Sequence, residues 1–246
     1  IAPGRRHRVP TAAERDALLE RIAQTNMALY RSPATGEDRC LPRALGAQLG
    51  LHRLDANWLA DEDGISCIAV SDRSDGRGGF IPYTDRAIRW HTDGYYHPQQ
   101  RRIDAMILHC VRPAAQGGAT ALLDHELAYI ALRDADPVHI HALMQPDAMT
   151  IPARDDAGGV ARAAQTGPVF SLTAAGQLHM RYTARTRSIA WKADAAVRAA
   201  VACLEALLAG DAPWVIRTRL DAGMGFVGHN VLHERSAFSD RSEEHT

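Results

Sequence analysis

The pattern of apolar and polar positions predicts a chain of many short strands with helices between them. Apolar or alternating runs of strand length are bounded by glycine, proline or polar residues. The runs of this kind are residues 64–70, 104–111, 119–123, 149–151, 168–172, 177–182, 214–220 and 225–233. Gly117 and Gly118 predict a turn, so that the strands before and after it would pair as a hairpin.

Helices are predicted from their end signals and from apolar residues at helical spacing. Thr11 and Glu14 have the spacing of a capping box, and the pattern behind them continues to about Tyr30. Asp124, and Asp136 followed by a proline, are residues that commonly begin helices. The predicted helices are residues 11–30, 42–51, 124–133, 136–144 and 194–209.

Many short strands without a regular strand–helix–strand alternation favour a mainly β fold. We expect a β-sandwich or jelly roll (a double-stranded β-helix) with inserted and flanking helices. No internal repeat, low-complexity tract or linker divides the 246 residues, which suffice for one large core. We therefore expect a single domain over residues 1–246, ending before its closing C-terminal segment.

Composition and charge narrow the classes of partner. A formal net charge of -1 provides no field that would gather nucleic acid. The four cysteines are dispersed, which argues against a thiolate zinc site and against a disulfide framework. No apolar run approaches the roughly 18 residues that cross a bilayer. We expect a cytoplasmic protein that acts on a small molecule, with no nucleic-acid or membrane partner.

The stretch from Arg89 to Pro98 contains the strongest chemical signal. His91 is the only one of twelve histidines with a carboxylate two residues downstream, in Asp93. Side chains alternate along an extended strand, so these two would point the same way. Gly94 directly afterwards permits a turn. Two donors on one face predict a metal site at the end of a strand.

A third ligand must come from elsewhere in the chain. Two histidines and one carboxylate, with open positions left on the metal, are the ligands of non-haem Fe(II) oxygenases. His233 is the candidate, because it lies at the end of the last apolar run; His229 would share its face in a regular strand. His139 and His141 are a rival pair, but residues two apart on a helix diverge by about 200°.

Three motifs in order resemble the taurine dioxygenase (TauD/TfdA) family of iron- and 2-oxoglutarate-dependent oxygenases. They are Trp90-His-Thr-Asp93, Gly117-Gly118-Ala-Thr120 and Asn230-Val-Leu-His233-Glu-Arg-Ser-Ala-Phe238, and the resemblance covers roughly residues 80–240. It implies that His91, Asp93 and His233 bind Fe(II) and that Thr120 binds a carboxylate of 2-oxoglutarate. It also implies that Trp90 lines the substrate pocket.

The resemblance fails at one position. The family places an arginine some eleven to fourteen residues after the last histidine, where it forms a bidentate pair with the far carboxylate of 2-oxoglutarate. Here those positions hold Glu244, His245 and Thr246. Arg241 is the nearest substitute, and Arg235 is nearer still to His233. We expect the sequence to end before the family arginine, with Arg241 as the alternative.

The activity implied is hydroxylation of a small organic acid or amino-acid-like molecule. Fe(II), 2-oxoglutarate and O2 would be required, and succinate and CO2 would be released. The intact Asp93 favours hydroxylation, since related halogenases lack that carboxylate. Arg181 is a candidate substrate contact, and residues 71–79 and 155–167 are the expected pocket loops. A homo-oligomer fits the family.

Two other functions fit the same residues. A cupin-type hydrolase or isomerase would use the three ligands with another metal and would need no 2-oxoglutarate. A non-catalytic jelly roll would bind a metal or ligand only.

Overall fold

The computed structural model describes residues 9–33, 39–55, 64–71, 79–156, 159–185 and 189–240. Its helices are α1 (Ala12–Thr25), α2 (Cys40–Gln48), α3 (His125–Ala135), α4 (Pro137–Leu143) and α5 (Ala195–Ala209). Its strands are β1 (Met27–Arg31), β2 (Ile88–His91), β3 (Ala105–His109), β4 (Gln116–Gly117), β5 (Thr120–Leu123), β6 (Met149–Ile151), β7 (Arg154–Asp156), β8 (Gly159–Arg162), β9 (Gln165–Gly167), β10 (Phe170–Leu172), β11 (Leu178–Met180), β12 (Ala190–Trp191), β13 (Ile216–Thr218), β14 (Met224–His229), β15 (Leu232–Arg235) and β16 (Phe238–Ser239). Among these residues no helix combines the length and apolar character that crossing a bilayer needs.

Two antiparallel sheets carry the site. One has the strand order β13-β5-β15-β2 and the other β1-β14-β3. Met27 and Phe226 from the second sheet form one buried cluster with Leu122 of the first sheet and with Val231. The protein is therefore a mixed α/β structure in which two antiparallel sheets share an apolar interior. The remaining strands form the sheet β12-β6-β9 and the pairs β10-β11, β7-β8 and β16-β4.

A larger core lies on the other face of the four-stranded sheet. Leu123 and Leu232 from that sheet pack there with residues of α3, α4 and α5. As the sequence predicts, α5 buries Val197, Ala200, Val201, Leu204 and Leu208. Side chains alternate along a strand, so residues next to these core positions point into the space between the two sheets.

The local end signals gave correct helix starts. Thr11 and Glu14 form the predicted capping box, and Asp124 and Asp136 each accept a hydrogen bond from a backbone N–H in the first turn of the following helix. The helix end at Tyr30 was wrong, however. Asn26 takes a left-handed conformation with φ 57° after α1, and the residues that follow it pair with β14.

Strand pairing corrected three further predictions. Residues 104–111 and 119–123 do not form a hairpin, because β3 pairs with β14 while β5 pairs with β13 and β15. The predicted strand at 64–70 is irregular, and Ile68 and Val70 are exposed. The single run 225–233 is divided between β14 and β15, which belong to different sheets.

Candidate metal centre

Two histidines and one carboxylate meet between the two sheets. His91 ends β2 and His233 lies on β15, and the two are direct partners in the antiparallel register. Their rings lie 4.1 Å apart between centroids. Asp93 Oδ1 is 3.8 Å from His91 Nε2 and 3.7 Å from His233 Nε2. Among the described residues, these three form the one histidine, cysteine or carboxylate group suited to a metal ion, with ligand atoms within 4.8 Å of one another.

Strand geometry explains why the three side chains converge. Residues directly opposite each other in an antiparallel pair point to the same face, so β2 and β15 aim both imidazoles together. Thr92 points the other way and is fully buried; its Oγ1 accepts a hydrogen bond from the Tyr182 N–H. Asp93 then returns to the histidine face. His91 and Asp93 therefore share a side, as the sequence predicts.

Gly94 turns the chain away immediately after the carboxylate. Its φ is 63°, and a Cβ there would lie 2.6 Å from Ile103 Cγ1 and 3.0 Å from His97 Nδ1. Only glycine fits this conformation and this space without strain. The turn closes with a hydrogen bond from the His97 N–H to the Gly94 carbonyl.

Hydrogen bonds to the backbone orient both imidazoles for metal binding. His91 Nδ1 is 2.9 Å from the Arg89 carbonyl, and His233 Nδ1 is 3.0 Å from the Val231 carbonyl. A carbonyl oxygen only accepts, so each Nδ1 must carry the proton. The Nε2 lone pairs are left facing Asp93, which is the tautomer that a metal requires.

The surroundings of His91 keep its imidazole neutral. Burial, and secondarily the neighbouring His233, lower the pKa of His91 to about 4, against opposing effects of Asp93 and the backbone. At neutral pH this side chain therefore holds no proton on Nε2 that a cation would have to displace. Asp93 is 45% exposed, so the carboxylate marks the open side of the group.

Asn230 holds the backbone of Asp93, the candidate carboxylate ligand, in place. Its Oδ1 accepts from the Asp93 N–H at 2.8 Å, while its Nδ2 donates to the Asp93 carbonyl at 2.8 Å and to the Ile103 carbonyl at 2.9 Å. The side chain is 3% exposed. No role for Asn230 follows from the sequence, although it lies in the same motif as His233. Spacing alone could not reveal a contact across 137 residues.

Thr120 lies on the same face as the histidines. On β5 it is two residues from Leu122, which pairs directly with His233. Its side chain is buried beside a cavity of about 160 Å³ that Arg235 and Arg217 also line. This position accords with the expected 2-oxoglutarate contact, which stays a prediction.

The expected arginine contacts find little support. Arg235 donates to the carbonyls of Pro82, Thr84 and Arg86, and so fixes the segment before β2. Arg241 lies outside the described residues. Arg181, the candidate substrate contact, donates to four backbone carbonyls, those of Met149, Gln165, Gly167 and Pro168. These contacts favour a structural role for Arg181.

Trp90 faces away from the metal centre. It is 5% exposed, packs in the core beneath the helices, and donates its indole N–H to the Leu208 carbonyl of α5. Because neighbours along a strand alternate, Trp90 and His91 cannot point the same way. This placement favours a core role over the pocket lining that the resemblance implied.

The family likeness extends well beyond these motifs. The model of the taurine catabolism dioxygenase TauD, TfdA family matches residues 45–246. The chain belongs to the TauD/TfdA family. The resemblance stated from the three motifs is thereby confirmed.

Two curated relatives of this chain carry the same name. A uridine-5'-phosphate dioxygenase from an Amycolatopsis species is 31% identical over 183 residues, which are 70% of this chain and 62% of the relative. A second, from a Streptomyces species, is 34% identical over 122 residues, which are 50% of this chain and 43% of the relative. The chain thus spans less than two thirds of either relative.

Solved structures share the TauD/TfdA fold at lower identity. An asparagine oxygenase in complex with Fe(II), hydroxyasparagine and succinate superposes with a TM-score of 0.62 at 15% identity, covering 95% of this chain and 76% of that one. The non-heme iron oxygenase OrfP in complex with Fe and α-ketoglutaric acid gives a TM-score of 0.60 at 18% identity, covering 94% and 76%. At this identity the likeness shows the fold alone.

Proposed function

We propose that this chain is an Fe(II)- and 2-oxoglutarate-dependent dioxygenase that hydroxylates a small anionic molecule. The observation that carries the proposal is the convergence of His91, Asp93 and His233, with both Nδ1 atoms held by carbonyls and both Nε2 atoms facing the carboxylate. Family membership supports it independently.

The donor set fits a ferrous ion. Two imidazole nitrogens and one carboxylate on one side leave open positions for a cosubstrate and O2. When bound, the iron would couple two oxidations. One oxygen atom of O2 would enter succinate as 2-oxoglutarate loses CO2, and the second would be inserted into a C–H bond of the substrate. The protein's own contribution is to hold three ligands and exclude water from the interior face.

In this proposal three side chains hold the metal. His91 and His233 bind it between the sheets, and Asp93 binds it from the solvent-exposed side of the group. Thr120 hydrogen-bonds a carboxylate of 2-oxoglutarate. We place these residues in a double-stranded β-helix formed by the two principal sheets, in a single domain. A homo-oligomer and a cytoplasmic location stay predictions.

The curated relatives narrow the substrate class. The sequence alone favours a small organic acid or an amino-acid-like molecule. The curated relatives, at 31% and 34% identity, are named for uridine-5'-phosphate. A phosphorylated nucleoside therefore takes the first place among candidate substrates, ahead of amino acids.

Substrate-stimulated succinate formation tests the activity. Purified protein with Fe(II), 2-oxoglutarate and O2 is expected to release succinate and CO2 in equal amounts, faster with the true substrate than without it. Uridine-5'-phosphate, uridine, asparagine, arginine and taurine form the panel. If the protein binds metal but consumes no 2-oxoglutarate with any of them, the hydrolase or isomerase alternative is favoured over the oxygenase.

A further inference from the structure

Two arginines lie side by side on the β7–β8 hairpin. Arg154 and Arg162 are direct partners in its antiparallel register. The Arg162 guanidinium carbon lies 5.7 Å from the centre of the Tyr96 ring, and that of Arg154 lies 5.4 Å from the Phe80 ring. Both cations therefore rest on aromatic faces, which attract them electrostatically.

Tyr96 connects this hairpin to the metal centre. It lies three residues after Asp93, within the turn that Gly94 begins. Its ring packs against the main core and makes edge contacts with Tyr95 and His97, at 5.2 Å and 4.6 Å between centroids. Burial raises the pKa of Tyr96 to about 12, and the charge of Asp93 contributes to the increase. Arg162 is thus stacked on a fixed, uncharged ring beside the carboxylate ligand.

The guanidinium of Arg162 is held by the backbone. Its Nη2 donates to the Pro152 carbonyl at 2.7 Å, and its Nη1 contacts the Ala163 carbonyl at 3.5 Å. Within the described part of the chain, no salt bridge joins Arg162 to a carboxylate. The titratable groups that act on it are Arg154, Tyr95 and Tyr96. These contacts fix the position of the cation without neutralising it.

A partly buried cation beside a second cation favours an anion. Burial lowers the pKa of the Arg162 guanidinium; Tyr95 and Tyr96 oppose this effect, and the neighbouring Arg154 adds to it. A bound oxyanion would offset the charge of the neighbouring cation, and a guanidinium offers it two parallel N–H donors. The Arg162 guanidinium suits a phosphate monoester, which carries a charge of about −1.5 to −2 at pH 7.

We propose that Arg162, stacked on Tyr96 and flanked by Arg154, binds the phosphate of a phosphomonoester substrate beside the turn that carries Asp93 and Tyr96. This inference rests on the proposed function, because it assigns part of that enzyme's substrate pocket. It names a residue that determines specificity for a charged substrate over its uncharged counterpart. Arg181 donates to four backbone carbonyls and Arg162 to only two, so Arg162 retains more N–H donors for a ligand.

Paired ligands and three variants test this assignment. Uridine-5'-phosphate and uridine differ only in the phosphate, so calorimetric titration of the anaerobic protein with Fe(II) and 2-oxoglutarate isolates its contribution. Arg162→Gln removes the cation, and Arg162→Lys keeps the charge but loses the planar donor pair. Arg133→Gln, on the exposed end of α3 beside Asp134, is the matched control for the change in net charge.

We expect the wild type to bind uridine-5'-phosphate at least tenfold more tightly than uridine. A lost charge-assisted hydrogen bond weakens binding by roughly tenfold to a hundredfold, so Arg162→Gln should abolish this preference and leave uridine unaffected. Arg162→Lys should be intermediate, and Arg133→Gln should match the wild type. In turnover, Arg162→Gln should raise KM for the phosphorylated substrate more than it lowers kcat.

The same samples separate the two hypotheses. A visible charge-transfer band on adding Fe(II) and 2-oxoglutarate reports the proposed function, whatever residue 162 is. If that band is absent from the wild type, the proposed function fails, and titration of the metal-free protein with inorganic phosphate still tests Arg162. If wild type and Arg162→Gln bind uridine-5'-phosphate and inorganic phosphate equally, or if neither binds them, Arg162 is not a phosphate ligand.

Discussion

Two groups of buried or partly buried histidines lie near Asn230, and only one of them resembles a metal site. The first is the candidate metal centre formed by His91 and His233 with Asp93. The second, which we call the histidine pocket, is a cavity of about 320 Å³ lined by His125, His179 and His229 together with Arg102, Asp104 and Asn230. Both groups place imidazoles close to carboxylates, so the residue types alone do not distinguish them.

The groups differ in which imidazole nitrogen forms a hydrogen bond with a backbone carbonyl. In the metal centre a carbonyl two residues earlier in the chain accepts from each Nδ1, which leaves Nε2 free. In the histidine pocket, distant carbonyls of Leu178 and Ile103 bind the Nε2 atoms of His125 and His179. The short, local contact leaves the outer nitrogen of each ring available to a shared ligand.

The carboxylates differ as well. Asp93 lies within 3.8 Å of both Nε2 atoms and is 45% exposed. Asp124 lies 3.9 Å from His125 Nδ1, but its Oδ1 already accepts from Asn26 Nδ2 and from the Glu126 N–H. The buried His125 Nδ1 has no hydrogen-bond partner among the described residues. A metal site therefore requires converging free nitrogens and an uncommitted carboxylate.

Of the changes considered, removing the Asp93 carboxylate should cause the largest loss of Fe(II) affinity. Loss of outer contacts to metal ligands costs about 10- to 100-fold in affinity, so loss of a ligand itself in Asp93→Ala should weaken Fe(II) binding by at least about 100-fold. Anaerobic Fe(II) titration measures the change. Asp104→Asn, which alters an acid of the histidine pocket, is the control and should bind like the wild type. Equal weakening in both variants would mean that the metal lies elsewhere.

Asn230 should affect Fe(II) affinity indirectly, because its side chain holds the backbone of Asp93. Asn230→Ala removes three hydrogen bonds to the Asp93 and Ile103 backbone, and we expect roughly a 10-fold loss of Fe(II) affinity. Asn26→Gly removes one amide contact near the histidine pocket in a left-handed conformation that glycine tolerates. If the two variants lose the same affinity at equal melting temperature, Asn230 supports only the fold.

The pH dependence of stability should separate the metal histidine from an ordinary one. Because the folded state lowers the pKa of His91 to about 4, the unfolded metal-free chain binds more protons below pH 6.5. The free energy of unfolding should therefore fall as pH decreases, by about 1.6 kcal/mol between pH 6.5 and 5 from this group. Chemical denaturation at several pH values measures this dependence. The free energy of unfolding should change less steeply with pH in His91→Gln than in the wild type. An unchanged slope would contradict the burial of a neutral imidazole.

The histidine pocket should have the smallest effect on metal binding. His125→Gln removes a ring whose Nδ1 contacts no ligand, so Fe(II) affinity should stay within about twofold of the wild type, a difference of roughly 0.4 kcal/mol. The same anaerobic titration measures it. A loss comparable to that of Asn230→Ala would show that the two groups are energetically coupled through Asn230.

Features that depend on contacts between residues close in sequence can be predicted from this sequence, and features that depend on distant residues cannot. Capping residues such as Thr11 and Asp124 act within one helical turn, and their helices begin where predicted. Strand alternation likewise put His91 and Asp93 on one side. The strand at Met27–Arg31 and the division of 225–233 depend on partners far away in sequence, which periodicity cannot detect.

The site divides in the same way. Its three candidate ligands lie in motifs that sequence alone shows; β2 and β15 bring the two histidines together, and Asp93 follows the end of β2. The backbone contacts of Asn230 and the position of Arg162 over Tyr96 come from folding, and no spacing rule predicts them. Trp90 shows why a position next to a ligand in the sequence can mislead. Neighbouring residues on a strand point to opposite faces, so Trp90 points away from the site.

One anaerobic titration tests the central claim most directly. Fe(II) followed by 2-oxoglutarate is added to the wild type and to Asp93→Ala while visible absorption is recorded. We predict a charge-transfer band that saturates at one equivalent of each per chain in the wild type and is absent from the variant. A wild type without the band, or a variant that keeps it, would contradict a 2-oxoglutarate-binding iron centre at His91, Asp93 and His233.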